Sequence, residues 1–266
     1  MLQRLALVEG ADLYDLAQTL EQGMPQSLNH TPFRMALARR HGDAVRPDGG
    51  SAASEMIVTS SHVGTHIDAL CHVSQDARLH GGVDAMAAQS TGRFTKLGIE
   101  TVPPFLGRGV LLDVATQLGF DVLPAGYAIT VADLERTAQA ESVEIHAGDA
   151  VLVRTGWVAH WGDPVTYLGH QTGVPGPDEA AAKWLCSLGV KLTGSDTVAY
   201  EVIPAGAGHS VLPVHRTLLV DHGVYICETM YLDELARDRC YEFLLLLMPL
   251  KIKGATGSPV RPIAVV

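Results

Sequence analysis

Short apolar runs, separated by polar text rich in glycine and proline, set the rhythm of this chain. Residues 109–114, 149–155, 192–196 and 243–249 are apolar runs of strand length bounded by turn residues, so they read as interior strands. Helical spacing alternates with them. Residues 130–140 follow Thr130 as a cap, with Asp133 completing a near-match to a capping box, and residues 178–188 set Ala181, Leu185 and Leu188 on one face. Residues 12–21 place Leu13, Leu16, Ala17 and Leu20 at helical spacing with Gly23 at the stop, which predicts an N-terminal helix. Strands alternating with helices predict an α/β fold, while the order of the strands is not readable from the pattern.

From Met24 to Ser54 the pattern breaks. Pro25, Asn29, Pro32, Pro47, Gly49 and Gly50 punctuate an irregular arm that would cover a site or a partner subunit. Phe33, Met35 and Leu37 are apolar enough to line a pocket there, or simply to pack. The next residues, 56–60, are β-prone. At the far end, Lys251 and Lys253 alternate with Leu250 and Ile252 as on an exposed strand. A single domain over residues 1–266 is expected, its first 54 residues forming the helix and the covering arm.

Composition narrows the class of partner. The net charge of −10 and the pI near 5.6 lack the basic footprint that a phosphate backbone requires, so no nucleic-acid partner is expected. The apolar run at residues 243–249 is too short to span a bilayer, and the first residues lack the pattern of a secretory leader. Cys71, Cys186, Cys227 and Cys240 form no C-x-x-C pair and read as structural thiols of a reducing compartment. A soluble cytoplasmic protein without a membrane partner is the expectation. Neither a dinucleotide or triphosphate loop nor a G-x-S-x-G elbow is present.

Candidate chemistry concentrates in S-H-V-G-T-H-I-D-A-L-C-H, from Ser61 to His72. Imidazole nitrogens and a carboxylate are ligands that Zn²⁺ or Mn²⁺ accepts, and His62, His66 and Asp68 share one face of an extended segment because their separations are even. His72 follows on the same side and is placed to act on a bound water as general acid or base. Capping, turns and hydrogen-bonded core histidines are the plainer account of the same residues. Further along, Asp196 stands where a strand-end carboxylate could orient a histidine, and His209, His215, His222 and Glu228 supply late polar groups. His209 competes with His215 for contact with metal or substrate. Trp157 and Trp161 follow a strand into a loop, where they could form the flat wall an aryl substrate needs or merely pack beneath it.

The run from His62 to His72, H-V-G-T-H-I-D-A-L-C-H, resembles the H-x-G-T-H-x-D-x-x-x-H signature of the cyclase-like metal-dependent hydrolases, the family containing bacterial kynurenine formamidase and isatin hydrolase. The stretch L-P-V-H-R-T-L-L-V-D-H-G-V-Y-I-C-E, ending at Glu228, looks like that family's second metal-binding segment. G-A-T-G-S-P-V-R-P, from Gly254, looks like its C-terminal strand region. The resemblance implies a swivelling β/β/α fold with a mixed sheet and flanking helices, and hydrolysis of a carbon–nitrogen bond in an aryl amide or small cyclic amide. By position it makes His62, His66 and Asp68 ligands of a first ion, His215 and Glu228 ligands of a second where there are two, and His72 the catalytic histidine. It further implies zinc or manganese, one or two ions per subunit, and a homodimer or homotetramer. With Phe33, Trp157, Trp161 and His209 as candidate substrate contacts, the substrate expected is small and aromatic. A lactone hydrolase, a metal-dependent lyase or dehydratase, and a non-catalytic metal-binding protein are the competing readings.

Overall fold

The computed structural model describes residues 10–266. Its centre is a nine-stranded mixed sheet, and β6 (Ala128–Ile129) and β8 (Gly176–Pro177) pair in parallel outside it. Four parallel strands form the middle: β5 (Phe105–Asp113), β7 (Ala150–Arg154), β9 (Leu192–Ser195) and β10 (Tyr225–Glu228). On one flank β11 (Glu242–Leu247), β13 (Ile263–Val265) and β1 (Leu13–Asp15) add antiparallel; on the other, β4 (His66–Asp68) and β12 (Gly257–Pro259) do the same.

The central strands are apolar runs because both of their faces are covered. Leu111 and Leu152 point into one core with Ile67 and Leu245, while Val110, Leu112, Val151 and Val153 point into the other. That second core is closed by helix α1 (Val131–Ala140) through Leu134 and by helix α2 (Glu179–Ser187) through Ala181 and Leu185. Both helices begin where local chemistry dictates. Thr130 and Asp133 form a reciprocal capping box, and the Asp178 carboxylate accepts the Ala181 amide. The result is a single α/β domain with a curled mixed sheet flanked by helices, consistent with the cyclase-like fold.

The chain departs from expectation in three places. Residues 13–15 form an edge strand, not a helix: the Asp12 amide and carbonyl pair with Val266, and the Leu16 amide donates to the Pro262 carbonyl. A ten-residue helix is marginal on its own, and the open sheet edge satisfies the same backbone groups at long range. Within the arm, β2 (Arg34–Arg39) and β3 (Ser54–Val58) pair as a ribbon, exposed along its whole length. Lys251 and Lys253 lie in exposed turn-rich chain outside any strand. No helix among the described residues is long and apolar enough to cross a membrane.

Candidate metal centre

Strand β4 is short, and its neighbours determine what surrounds it. In register, His66 lies opposite Glu228 of β10, and Asp68 lies opposite Gly257 of β12. Paired residues share a face, so His66, Asp68 and Glu228 converge. A Cβ on Gly257 would stand 2.6 Å from His62 Cε1, so the missing side chain is what admits the His62 ring. Just upstream, Gly64 adopts φ 67°, where a side chain would also collide with Leu20. That turn brings the Gly64 carbonyl to 2.8 Å from His66 Nδ1.

Proton positions follow from these partners. A carbonyl only accepts, so His66 Nδ1 carries the hydrogen and the Nε2 lone pair faces Glu228 Oε2 at 3.3 Å and Asp68 Oδ1 at 3.7 Å. His215 repeats the pattern. Its Nδ1 donates to Glu201 Oε1 at 2.7 Å, which leaves Nε2 facing Glu228 Oε1 at 3.0 Å and Asp68 Oδ2 at 3.7 Å. Those last two oxygens are buried and accept no hydrogen bond. The His62 ring has Asp68 Oδ1 at 2.8 Å from Nδ1 and Thr256 Oγ1 at 2.8 Å from Nε2. It stacks with His72, 3.9 Å away by ring centroid, and with His30, at 5.2 Å.

Asp68 is shared by two possible ligand triads, His62–Asp68–His72 and Asp68–His215–Glu228, with the ligand atoms of each within 4.8 Å of one another. Nitrogen and carboxylate donors of this kind fit zinc or manganese, and the orphaned Asp68 Oδ2 and Glu228 Oε1 are the atoms a cation would satisfy. Electrostatics agree. Burial opposes charge on His66, yet its contacts with Glu228 outweigh this and raise its affinity for a proton. Burial likewise opposes charge on Glu228, but His215 and His66 hold its carboxyl down to about 2. Asp68 lies well below the usual carboxylate range because His72, His62 and His66 overcome its burial. A surplus of carboxylate field that draws protons onto imidazoles also draws a divalent cation. His72 differs: burial depresses it to about 3, so its ring is neutral.

A cavity of about 200 Å³ opens onto this cluster, and His62, His66, His72, His209, His215 and Glu228 contribute to its wall. Phe33, Trp157 and Trp161 lie outside that wall. Phe33 packs with Met24 and Val63 against Trp161, and Trp157 is buried with its indole N–H on the Tyr167 carbonyl at 2.8 Å. Asp196 does not orient a histidine; its Oδ1 accepts the Thr155 amide at 2.9 Å and the Thr155 hydroxyl at 2.6 Å, and burial lifts its carboxyl to about 6. His222 is exposed and His80 donates from Nδ1 to the Val220 carbonyl.

Three contributors receive no role from the sequence alone: Glu201, Thr256 and His30. Glu201 is buried in V-A-Y-E-V, a stretch without motif, and its only clue is a carboxylate among apolar residues. Thr256 and His30 reach His62 from remote segments, which no local spacing reveals.

A mixed α/β sheet that carries a buried histidine–carboxylate cluster on the floor of a cavity defines a metal-dependent enzyme. The Cyclase family model matches residues 14–202, well over half of the chain, and the chain belongs to that family. It is 29% identical to the isatin hydrolase of Roseibium aggregatum over 223 residues, which cover 82% of this chain and 77% of the relative. It is also 26% identical to the kynurenine formamidase of Geobacillus thermodenitrificans over 250 residues, covering 93% and 94% of the two chains. A crystal structure of a novel cyclase superposes with a TM-score of 0.89 at 33% identity, covering 100% of this chain and 92% of the other. Cluster and kinship together identify a metal-dependent hydrolase of this general type.

Proposed function

We propose that the protein hydrolyses the carbon–nitrogen bond of a small aryl amide or cyclic amide at a zinc or manganese centre. His62, His66 and Asp68 would hold one ion, and Asp68, His215 and Glu228 a second. The observation that carries this reading is that His66 and His215 both spend their Nδ1 hydrogen on fixed acceptors and aim a lone pair at carboxylate oxygens. Two electron-rich groups held in that way attract a positive charge between them, which a divalent ion supplies when bound and a proton supplies otherwise.

When bound, the ion supplies Lewis acidity that lowers the pKa of water and polarises the scissile carbonyl. The remaining work falls to the chain itself. His72, neutral and stacked on His62 beside the cavity, takes a proton from the attacking water and returns it to the departing nitrogen. Thr256 and Glu201 fix the rings of His62 and His215, so their nitrogens stay aimed without reorganisation. Because Phe33, Trp157 and Trp161 pack outside the cavity, an aryl ring rests on the His30–His62–His72 stack or on a neighbouring copy.

The ribbon of β2 and β3 supports the second source. Met35, Leu37, Met56, Ile57 and Val58 are all exposed on it, and a lone two-stranded ribbon is marginal in water. The ribbon springs directly from the cavity wall, between His30 and His62. We therefore assign it as the contact between subunits of a homodimer or homotetramer. Acidic composition and four free cysteines support a cytoplasmic setting.

Metal-stripped protein reloaded with zinc or manganese is assayed on isatin and N-formylkynurenine in ¹⁸O-water. Hydrolysis places one solvent oxygen in the acid product, and Asp68→Asn loses both bound metal and turnover. Product without the label, or an Asp68→Asn variant with full metal content, refutes the reading.

A further inference from the structure

Backbone strain adjoins both glutamates that meet the nitrogens of the His215 ring. Among the described residues, the only buried non-glycine positions with positive φ are Thr229, at 58°, directly after Glu228, and Tyr200, at 57°, directly before Glu201. For a β-branched or bulky residue this left-handed region is sterically costly and persists only where the surroundings impose it; such residues gather at functional sites. At Thr229 the imposing contacts are plain. Register sets Cys227 opposite Ile67 and Glu228 opposite His66, so Thr229 comes next, opposite Thr65. There the Thr65 hydroxyl meets the Thr229 carbonyl at 2.6 Å, and the same hydroxyl oxygen accepts the Gln18 amide at 2.8 Å. A carbonyl only accepts, so the one hydroxyl hydrogen of Thr65 is committed to Thr229. On the other side the Thr229 amide donates to the Thr197 carbonyl and the Met230 amide to the Ser195 carbonyl, each at 3.0 Å. Successive amides of an extended strand point to opposite sides, so both reach residues 195–197 only because Thr229 leaves the extended conformation.

We infer that Thr65 is a positioning residue: its hydroxyl holds Thr229 in the strained conformation, and that conformation fixes the Glu228 carboxylate between His66 and His215. This rests on the metal-centre reading above. Thr65, Thr229, Thr197 and Ser195 are all buried, so water does not replace a bond that is lost among them. With Met230 moored to Ser195, relaxation of Thr229 to negative φ displaces the peptide that follows Glu228. The carboxylate then leaves its places 3.3 Å from His66 and 3.0 Å from His215. A ligand group fixed in advance gives up less freedom when the ion arrives, which is how backbone strain at Thr229 is returned as affinity. The clamp also ties the two halves of the centre together, since Thr65 directly precedes His66 and Thr229 directly follows Glu228.

Two readouts test this, and one needs no metal. In metal-stripped protein the ¹³Cα and ¹³Cβ shifts of Thr229 report its backbone conformation. Left-handed shifts are expected in the wild type and their loss in Thr65→Val, which keeps the shape of the side chain without the hydroxyl; left-handed shifts retained in Thr65→Val overturn the inference. Competition for zinc against a chromophoric chelator is expected to show affinity lowered about 10–100-fold in Thr65→Val and mostly restored in Thr65→Ser. Glycine takes φ 58° without strain, so in a Thr229→Gly background the further change Thr65→Val is expected to cost less than about threefold. Equal losses in the two backgrounds refute the clamp, as does a Thr65→Val protein that melts earlier yet binds zinc as the wild type does. If Thr65→Val does not fold, the double variant is expected to fold, and its failure as well refutes the clamp. A wild-type protein that binds no zinc defeats the metal-centre reading instead, while the Thr229 shifts still decide whether Thr65 holds the strained backbone.

Discussion

Glu201 touches none of the cavity and yet fixes the His215 ring. Its Oε1 accepts the His215 amide at 2.8 Å and His215 Nδ1 at 2.7 Å, and its Oε2 accepts the Val214 amide at 3.0 Å. Glu201→Gln keeps the volume but has one oxygen to offer. Turned toward His215, that oxygen still accepts two hydrogens, while the amide nitrogen meets the Val214 N–H, donor against donor. The orphaned amide costs about 1–3 kcal/mol of folding stability, which for a domain of this size lowers the Tm by roughly 2–4 °C per kcal/mol. Loss of the carboxylate charge also makes the His215 lone pair a weaker donor. Removal of such supporting partners weakens metal binding by about 10–100-fold, or ~1.4–2.7 kcal/mol. The assay is competition for zinc against a chromophoric chelator, run beside thermal unfolding of stripped and loaded protein. A variant whose competition curve superposes on wild type, with only the Tm lowered, would show that Glu201 holds the fold and not the ligand, and the tautomer argument for His215 would fail.

Glu141 accepts the Asp113 amide, and burial lifts its carboxyl from an ordinary 4.5 to about 8. The folded state therefore binds the extra proton across that window, so stability falls as pH rises from about 5 through 8 and levels off above. Glu141→Gln is expected to flatten this slope in urea titrations at pH 5, 7 and 9, and an unchanged slope rules the assignment out. In the ribbon, Met35 and Ile57 are register partners and both exposed. Met35→Asp with Ile57→Asp is expected to reduce the mass seen by light scattering to that of a monomer without changing circular dichroism, and a wild-type protein that is already monomeric defeats the subunit contact.

Legibility along this chain depends on how far each determinant lies from the residue it acts upon. The interior strands are plain in the text because parallel strands are covered on both faces, which turns Val110–Leu112 and Val151–Val153 into unbroken apolar runs. Helix α1 is plain because Thr130 and Asp133 act within one turn. The first strand is not, since residues 13–15 take their conformation from Ile263–Val265 at the opposite end of the chain. The ribbon hides behind the prolines and glycines that flank and interrupt it. In the centre, His62, His66, Asp68 and His72 are legible because they fall within one short run; His215 and Glu228 show only as late polar groups until family likeness singles them out from His209 and His222, and Glu201 comes from neither. The tryptophans mislead for a related reason. A loop leaving a strand can rise over a cavity or fold under it, and Trp157 goes under to give its N–H to Tyr167.

Register explains why this cluster belongs on a strand near the sheet edge. Between β10 and β12, each residue of β4 has one partner on either side, so a single three-residue strand recruits Glu228 opposite His66 and vacant space opposite Asp68. A slip of one residue against β10 would set Cys227 opposite His66 and turn the Glu228 carboxylate to the other face. The same slip against β12 would set Ser258 opposite Asp68, and its side chain would occupy the space that Gly257 leaves for His62. Turn and pairing therefore select one arrangement together. Gly64 bends the chain so that its carbonyl holds His66, and the ladder on both sides holds the strand. The two atoms most exposed to error, Asp68 Oδ2 and Glu228 Oε1, come from different strands and still point to the same ring nitrogen of His215. Convergence of that kind cannot come from β4 alone, because it needs the register of β10 and the Glu201 contact that turns His215.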